Sequence, residues 1–303
     1  MQKFFDYSRE VTQALEQGKP VLALESTVIT HGLPRPVNLA TGLALEKIAR
    51  DHGVVPATIA IMNGRIKIGL SEEELDFLAN LKHVMKASVR DLGLAVSQKL
   101  YAGLTVAATL FCAAQAGIKV FSTGGIGGVH RGDTQDISAD LTELAKRPVA
   151  VVCAGAKAIL DLPRTLEFLE TFSVQVYGYG TDTLPAFYSP HSEYKLPVRI
   201  DDIHALSLAI KTQWELGINA GALIANPIPT EAAIASEEIE PVILQAIEKV
   251  KEQRISGKAL TPFLLSELAE ITEGKSIAAN IALIKNNVKV GAQLARELAI
   301  GSR

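Results

Sequence analysis

Two short apolar segments, Ile118–Phe121 and Val149–Cys153, each run into a glycine-bearing turn, and this pairing limits the possible folds more than any other feature. Apolar runs of that length bounded by turn residues read as strands buried on both faces, as in a parallel sheet. The first empties into Gly124, Gly125, Gly127 and Gly128, followed by His130, Arg131, Asp133, Asp136 and Asp140; the second empties into Ala154-Gly155-Ala156-Lys157. In an open parallel sheet, ligands bind beyond the carboxyl ends of the strands, where such turns lie. Glycine lets backbone amides close on an anion because no Cβ blocks the approach. The stretch therefore reads as a site for a sugar phosphate, with a metal near Asp136 and covalent work at Lys157.

The rest of the chain agrees with an α/β protein. Apolar runs at Val21–Leu24, Ala57–Met62, Val174–Gly178 and Ile218–Asn226 read as further strands, alternating with helical patterns at 37–50, 72–80, 103–117, 162–172 and 203–215. Asn63-Gly64 is a hairpin turn returning along Ile66–Ile68. Ser71 and Glu74 form a capping box for the helix at 72. A helix is expected over 3–17, with Phe4, Val11 and Leu15 on one face, and helices at 230–236, 239–255, 262–273 and 276–299 close the chain. The segment 181–197, with Pro185, Pro190 and Pro197, reads as a long loop and a candidate lid. The expectation is a single-domain αβα sandwich over residues 1–303, with a mostly parallel central sheet and extra C-terminal helices.

The 303 residues carry a net charge of -3 and no basic cluster, which argues against nucleic acid as a partner. No apolar run reaches the ~18 residues of a membrane span. The amino terminus lacks a signal-peptide pattern. Cys112 and Cys153 sit in apolar surroundings, as free thiols of a reducing compartment do, so a cytoplasmic protein is expected.

Several residues admit a chemical and a plain reading. Glu25 ends a buried strand and is followed by Ser26, Thr27 and His31; it is either placed for chemistry or satisfied by turn amides or an arginine. Lys86 and Arg90 near one strand end could grip phosphate, the lysine as a point charge and the arginine as a fork, or be solvated surface cations. Thr105 and Val106 open a small-residue helix whose free amides suit an anion. Asp136 and Asp140 flank a helix start, where they either hold a hard divalent cation or complement the helix dipole. Lys157, just past a buried strand and glycine turn, is partly stripped of water, which frees its lone pair to attack carbonyl or conjugated carbon, whereas an ordinary lysine is a surface cation. Asn280, among apolar and small residues, must find partners, either a neighbouring helix or a ligand.

The blocks LALESTVITHGLPRPVN (22–38), KASVRD (86–91), LTVAAT (104–109), FSTGGIGGVHRG (121–132), DISADL (136–141), VVCAGAKAILDLPRTLEFLET (151–171), ANPIP (225–229) and TPFLL (261–265) lie in order along nearly the whole chain. Together they resemble the pseudouridine-5′-phosphate glycosidases, the family also labelled indigoidine-synthase-A-like. The resemblance implies reversible cleavage of the C–C bond between ribose 5-phosphate and uracil, with Lys157 joined covalently to C1 of the sugar and Glu25 as proton donor. It implies one Mn²⁺ per subunit, held at Asp136 largely through waters. It implies substrate contacts at Lys86, Val106, Ser138, Ala139 and Asp140, and Asn280 facing the base. Thr105, Arg90 and His130 complete the expected substrate shell; where many members carry a second basic residue this chain has Val89, which shifts the phosphate grip towards Arg90. A homotrimer is implied, with small molecules as the partners and neither nucleic acid nor membrane. Two other readings use the same residues: a Schiff-base aldolase acting on another sugar phosphate, and a non-catalytic nucleotide-binding regulator.

Overall fold

The computed structural model describes residues 2–132, 136–255 and 257–300; Asp133, named above, lies outside them. Its strands are β1 (Phe5–Tyr7), β2 (Val21–Glu25), β3 (Val55–Met62), β4 (Arg65–Ile68), β5 (Met85–Ala87), β6 (Ala102–Leu104), β7 (Val120–Ser122), β8 (Val129–His130), β9 (Ala150–Cys153), β10 (Leu160–Asp161), β11 (Gln175–Tyr179), β12 (Arg199–Ile200) and β13 (Ala222–Ala225). Its helices are α1 (Arg9–Glu16), α2 (Val37–Asp51), α3 (Glu72–Asn80), α4 (Leu92–Ser97), α5 (Val106–Gln115), α6 (Ala139–Lys146), α7 (Leu162–Thr171), α8 (Ile203–Glu215), α9 (Ser236–Glu252), α10 (Leu260–Ile271) and α11 (Lys275–Ile300).

One sheet runs in the order β1-β4-β3-β2-β7-β9-β13-β11-β12, with β6 branching from β3 and pairing with β5. Every pairing in it is parallel except those that β3 makes with β4 and β6. β2, β9 and β13 are buried at every residue, so both faces are covered and apolar residues need not alternate. Helices α2, α11 and α8 pack side by side as one set, and α5, α6 and α7 as another. This is the expected helix-flanked, mostly parallel sheet. From β2 the chain steps to β3 on one side and later to β7 on the other, so the strand order reverses around β2. The crevice at the carboxyl ends of β2 and β7 is where such a sheet binds its ligand.

Several local expectations are corrected. The region 3–17 is not one helix: Phe5–Tyr7 pairs with β4 at the sheet edge, and Ser8 caps a separate helix by accepting from the amide of Val11. Backbone pairing with an open edge outweighs a helical pattern that only Val11 and its neighbours support. The helix expected from 103 begins at Val106, because Ala102–Leu104 is claimed by β3 and β5. Residues 230–236 give only a single turn, Thr230–Ala232. The proline-rich segment 181–197 is not a lid: Leu184, Phe187 and Tyr188 are each 2% exposed, and the last two rings meet edge to face at 4.8 Å. It is a plug packed beneath the cleft.

Candidate active site

A cleft of about 450 Å³ opens at the reversal point, a volume suited to a nucleotide-sized ligand. Its wall includes Glu25, Lys86, Arg90, Thr105, Val106, His130, Asp136, Ser138, Ala139, Asp140, Lys157 and Asn280. Residues far apart in the chain thus converge on one space because β2, β7 and β9 are neighbours and end at one level.

Glu25 is the last residue of β2 and is 8% exposed. Its plain reading, turn amides or an arginine, is not what the structure shows. The hydroxyls of Thr27 and Thr123 donate to its two carboxylate oxygens, one from each side. Thr123 follows β7 directly and is itself held, its amide donating to the carbonyl of Val152 at 3.1 Å and its carbonyl accepting from Asn287 at 2.8 Å. The acid is therefore fixed on rigid elements with its carboxylate turned to the cleft.

The two glycine turns are joined to each other. Ala154 donates to Gly124 (2.9 Å), Ile126 to Gly155 (3.1 Å) and Lys157 to Ile126 (3.0 Å), so the β7–β9 pairing continues past the sheet. Gly155 has φ +77, and a Cβ there would lie 2.4 Å from the carbonyl oxygen of Pro185, so only glycine fits. This zip fixes the backbone of Lys157, whose half-buried side chain lines the same cleft as Glu25. It also spends amides that the sequence reading reserved for an anion; among the described residues those of Gly124, Gly125 and Gly128 remain without a protein partner.

Asp140 has a different environment from Asp136. Its oxygens accept from the amides of Ala107 (2.8 Å) and Gly127 (2.7 Å), stapling the start of α5 to the glycine turn. A Cβ on Gly127 would lie 2.3 Å from the Ser138 hydroxyl, which fixes that position as glycine too. Since Thr105 caps the amide of Ala108, only Val106 offers a free amide at the first turn of α5 among the described residues. Asp136 is exposed, with its carboxylate 4.0 Å from Nε2 of His130. With Asp140 engaged, the two aspartates do not form a joint cation cage, and the described residues contain no cluster of three metal-ligating side chains. A lone exposed carboxylate fits a hard divalent cation that keeps most of its water, and not one enclosed by protein.

Electrostatics tie the lysines together. Burial pushes the Lys86 amine down to about 8, and the positive charge of Lys157 pushes it the same way, with Glu25 and Asp140 opposing. Burial also lowers His130, with Asp136 opposing and Lys157 assisting. Asn280, at the cleft-facing end of α11, is 8% exposed, and its amide has no protein partner among the described residues. Arg90 stands at the rim, its side chain 78% exposed.

Three contributors were not singled out from sequence. Thr123 had only its place before the glycines to mark it. Asn287 was one of several asparagines in a long helix. Lys258, in the turn Gly257–Ala259 before α10, lies more than a hundred residues beyond the glycine turns, and no local pattern signals its place on the cleft wall.

The fold and cleft define an α/β enzyme with an acid and a lysine at the carboxyl edge of a parallel sheet. The family model for indigoidine synthase A like proteins matches residues 10–297. Pseudouridine-5′-phosphate glycosidases of Caldanaerobacter subterraneus subsp. tengcongensis and Geobacillus kaustophilus are 57% and 53% identical, covering 98% and 99% of this chain and 98% and 100% of theirs. The crystal structure of the prealnumycin C-glycosynthase AlnA in complex with ribulose 5-phosphate superposes with a TM-score of 0.90 at 36% identity, covering 98% of both chains. The chain belongs to the indigoidine-synthase-A-like family of pseudouridine-5′-phosphate glycosidases and is an enzyme, which removes the regulator reading. No helix among the described residues is long and apolar enough to cross a membrane.

Proposed function

We propose that the chain, as one catalytic domain over 1–303, cleaves the C–C glycosidic bond of pseudouridine 5′-phosphate with water, giving uracil and ribose 5-phosphate, and also runs the reverse. The observation that carries this is the half-buried Lys157 sharing one cleft with the hydroxyl-braced acid Glu25. The relatives' activity and the pentose phosphate held by the C-glycosynthase support it. The side-chain amide of Asn280, which has no protein partner among the described residues, favours a nucleobase ligand over the aldolase alternative.

A carbon leaving group has no lone pair to protonate, so the acid of ordinary glycoside hydrolysis cannot act on it directly. Glu25 instead gives its proton to the ribose ring oxygen as the C1–O bond breaks, and electrons from the base leave a conjugated acceptor. The lone pair of Lys157 adds at C1 and restores the uracil ring. Protonation at C5 of the base then lets the lysine nitrogen form a double bond to C1 as the C1–C5 bond breaks, its electrons neutralising the protonated base. Water hydrolyses the imine to ribose 5-phosphate and regenerates the amine. Lys86, the amide of Val106 and Arg90 at the rim bind the phosphorylated end, while Ser138, Ala139, Thr105 and His130 shape the sugar pocket. A divalent cation such as Mn²⁺ at Asp136 would supply positive charge beside the anionic substrate. We read the enzyme as cytoplasmic and homotrimeric.

The test is uracil release from pseudouridine 5′-phosphate followed by absorbance, with borohydride added during turnover. Uracil and a pentose phosphate adduct on the peptide bearing Lys157 are expected. Absence of uracil overturns the activity, and an adduct elsewhere overturns the role of Lys157.

A further inference from the structure

The cleft is roofed by the hairpin of α9 and α10, whose connecting turn and first helical turns bring Lys258, Thr261, Pro262 and Leu265 to its wall. Polar ties join this roof to segments next to the site. Arg131 pairs with Glu240 on α9, and Lys258 places Nζ 2.6 Å from the carboxylate of Asp91. The carbonyl of Lys258 accepts from Nζ of Lys86 at 3.2 Å. That is the one acceptor Lys86 has among the described residues, and it has no carboxylate partner there. An ammonium carries three donors, so the inner lysine has capacity left for an anion. Arg90, a further cation on this side, stands at the rim with its side chain 78% exposed, farther out than Lys258 at 37%.

We propose that Lys258 is the outer half of the phosphate grip, a specificity-determining residue that binds the phosphorylated end of the substrate together with Lys86. The inference rests on the phosphorylated-substrate reading given above. Its chemistry is that of a point charge with rotatable donors on a flexible stem, able to exchange the Asp91 carboxylate for a phosphate that carries more charge. Because the Lys258 carbonyl also orients Lys86, a phosphate held by both amines ties the roof to the floor of the cleft. An unphosphorylated sugar gains neither contact.

The experiment is calorimetric titration of the full chain with ribose 5-phosphate and with ribose, using wild type, Lys258→Met, Lys258→Arg and Asp91→Asn, with circular dichroism to establish folding. Lys258→Met should weaken ribose 5-phosphate about tenfold or more, the scale of one lost hydrogen bond to a charged group. Ribose binding should be unaffected, and Lys258→Arg should recover most of the loss. The amide oxygen in Asp91→Asn can still cap Ser88 while releasing Lys258, so this variant should bind at least as tightly as wild type. In turnover, Lys258→Met should raise KM while kcat stays within about threefold. Unchanged ribose 5-phosphate affinity in Lys258→Met overturns the proposal. So does an equal loss in Asp91→Asn, which would make Lys258 a strut for the roof, or failure of wild type to bind ribose 5-phosphate at all. If wild type binds ribose 5-phosphate but releases no uracil from the nucleotide, the glycosidase reading fails while the titrations still decide the role of Lys258.

Discussion

Glu25 and Lys157 face one space, yet their removal should not cost the same. General acid help is typically worth about 10²–10⁴ in rate, so Glu25→Ala should keep measurable uracil release in a long assay. Lys157→Ala removes the atom that carries the covalent intermediate and should fall to background. A Lys157→Ala rate near wild type would refute the covalent scheme. Lys86 supplies a pH signature. Burial and its neighbour Lys157 bring its amine down to about 8, so it is a cation below that pH and loses its charge as pH climbs through it. The grip on a phosphorylated substrate should therefore weaken on the alkaline side, giving kcat/KM a falling limb near 8. A bound phosphate favours the charged amine, so the limb in kcat should lie higher. In Lys86→Arg the limb should disappear from this range, because a guanidinium keeps its charge. A limb unmoved by that substitution would assign it to another group.

Helix α11 is the element that locks the strand ends. Its fully buried Asn287 donates to the carbonyls of Thr123 (2.8 Å) and Gly124 (3.3 Å) and accepts from Asn226 (2.9 Å), just past β13. Asn287→Ala leaves the Thr123 carbonyl and the Asn226 side-chain amide buried without a partner among the described residues, while the Gly124 carbonyl keeps the amide of Ala154, and this should cost about 2–4 kcal/mol. Urea unfolding should show a lower midpoint with an unchanged slope. Because Thr123 braces Glu25, the same variant should also lose kcat beyond what its unfolded fraction explains. A variant with wild-type stability would show that water replaces the asparagine. This level was only partly legible in the sequence. The buried strands, the Asn63-Gly64 hairpin and the Ser71–Glu74 capping box follow from local pattern, and all three are present. β1 and β6 were not foreseen, since strands this short carry almost no periodic signal and exist because a neighbouring strand offers hydrogen bonds.

For the molecule as a whole, ligand and metal should act on stability through mass action. At a ribose 5-phosphate concentration 100 times its dissociation constant, unfolding should become harder by about 2.7 kcal/mol, read as a rise in Tm. Chelation should reduce activity and Mn²⁺ should restore it. Asp136→Asn should require more metal for the same rate, whereas a variant with an unchanged metal requirement would remove Asp136 as the ligand. These effects belong to this scale because the cleft is made by the sheet, the plug at 181–197 and the α9–α10 roof together.

The sequence by itself determined the layered α/β architecture, the glycine turns that only small residues can form, and the residues with chemical capacity, from Glu25 to Asn280. These depend on residue type and on spacing along the chain, which a sequence displays directly. Tertiary structure decided which groups are already engaged: Asp140 given to backbone amides, Glu25 to two threonines, Asn287 to the strand ends, and Lys258 to a wall that no local pattern marks. Hydrogen-bond partnership and burial depend on neighbours brought together across the fold, so they are properties of its geometry and not of the order of residues.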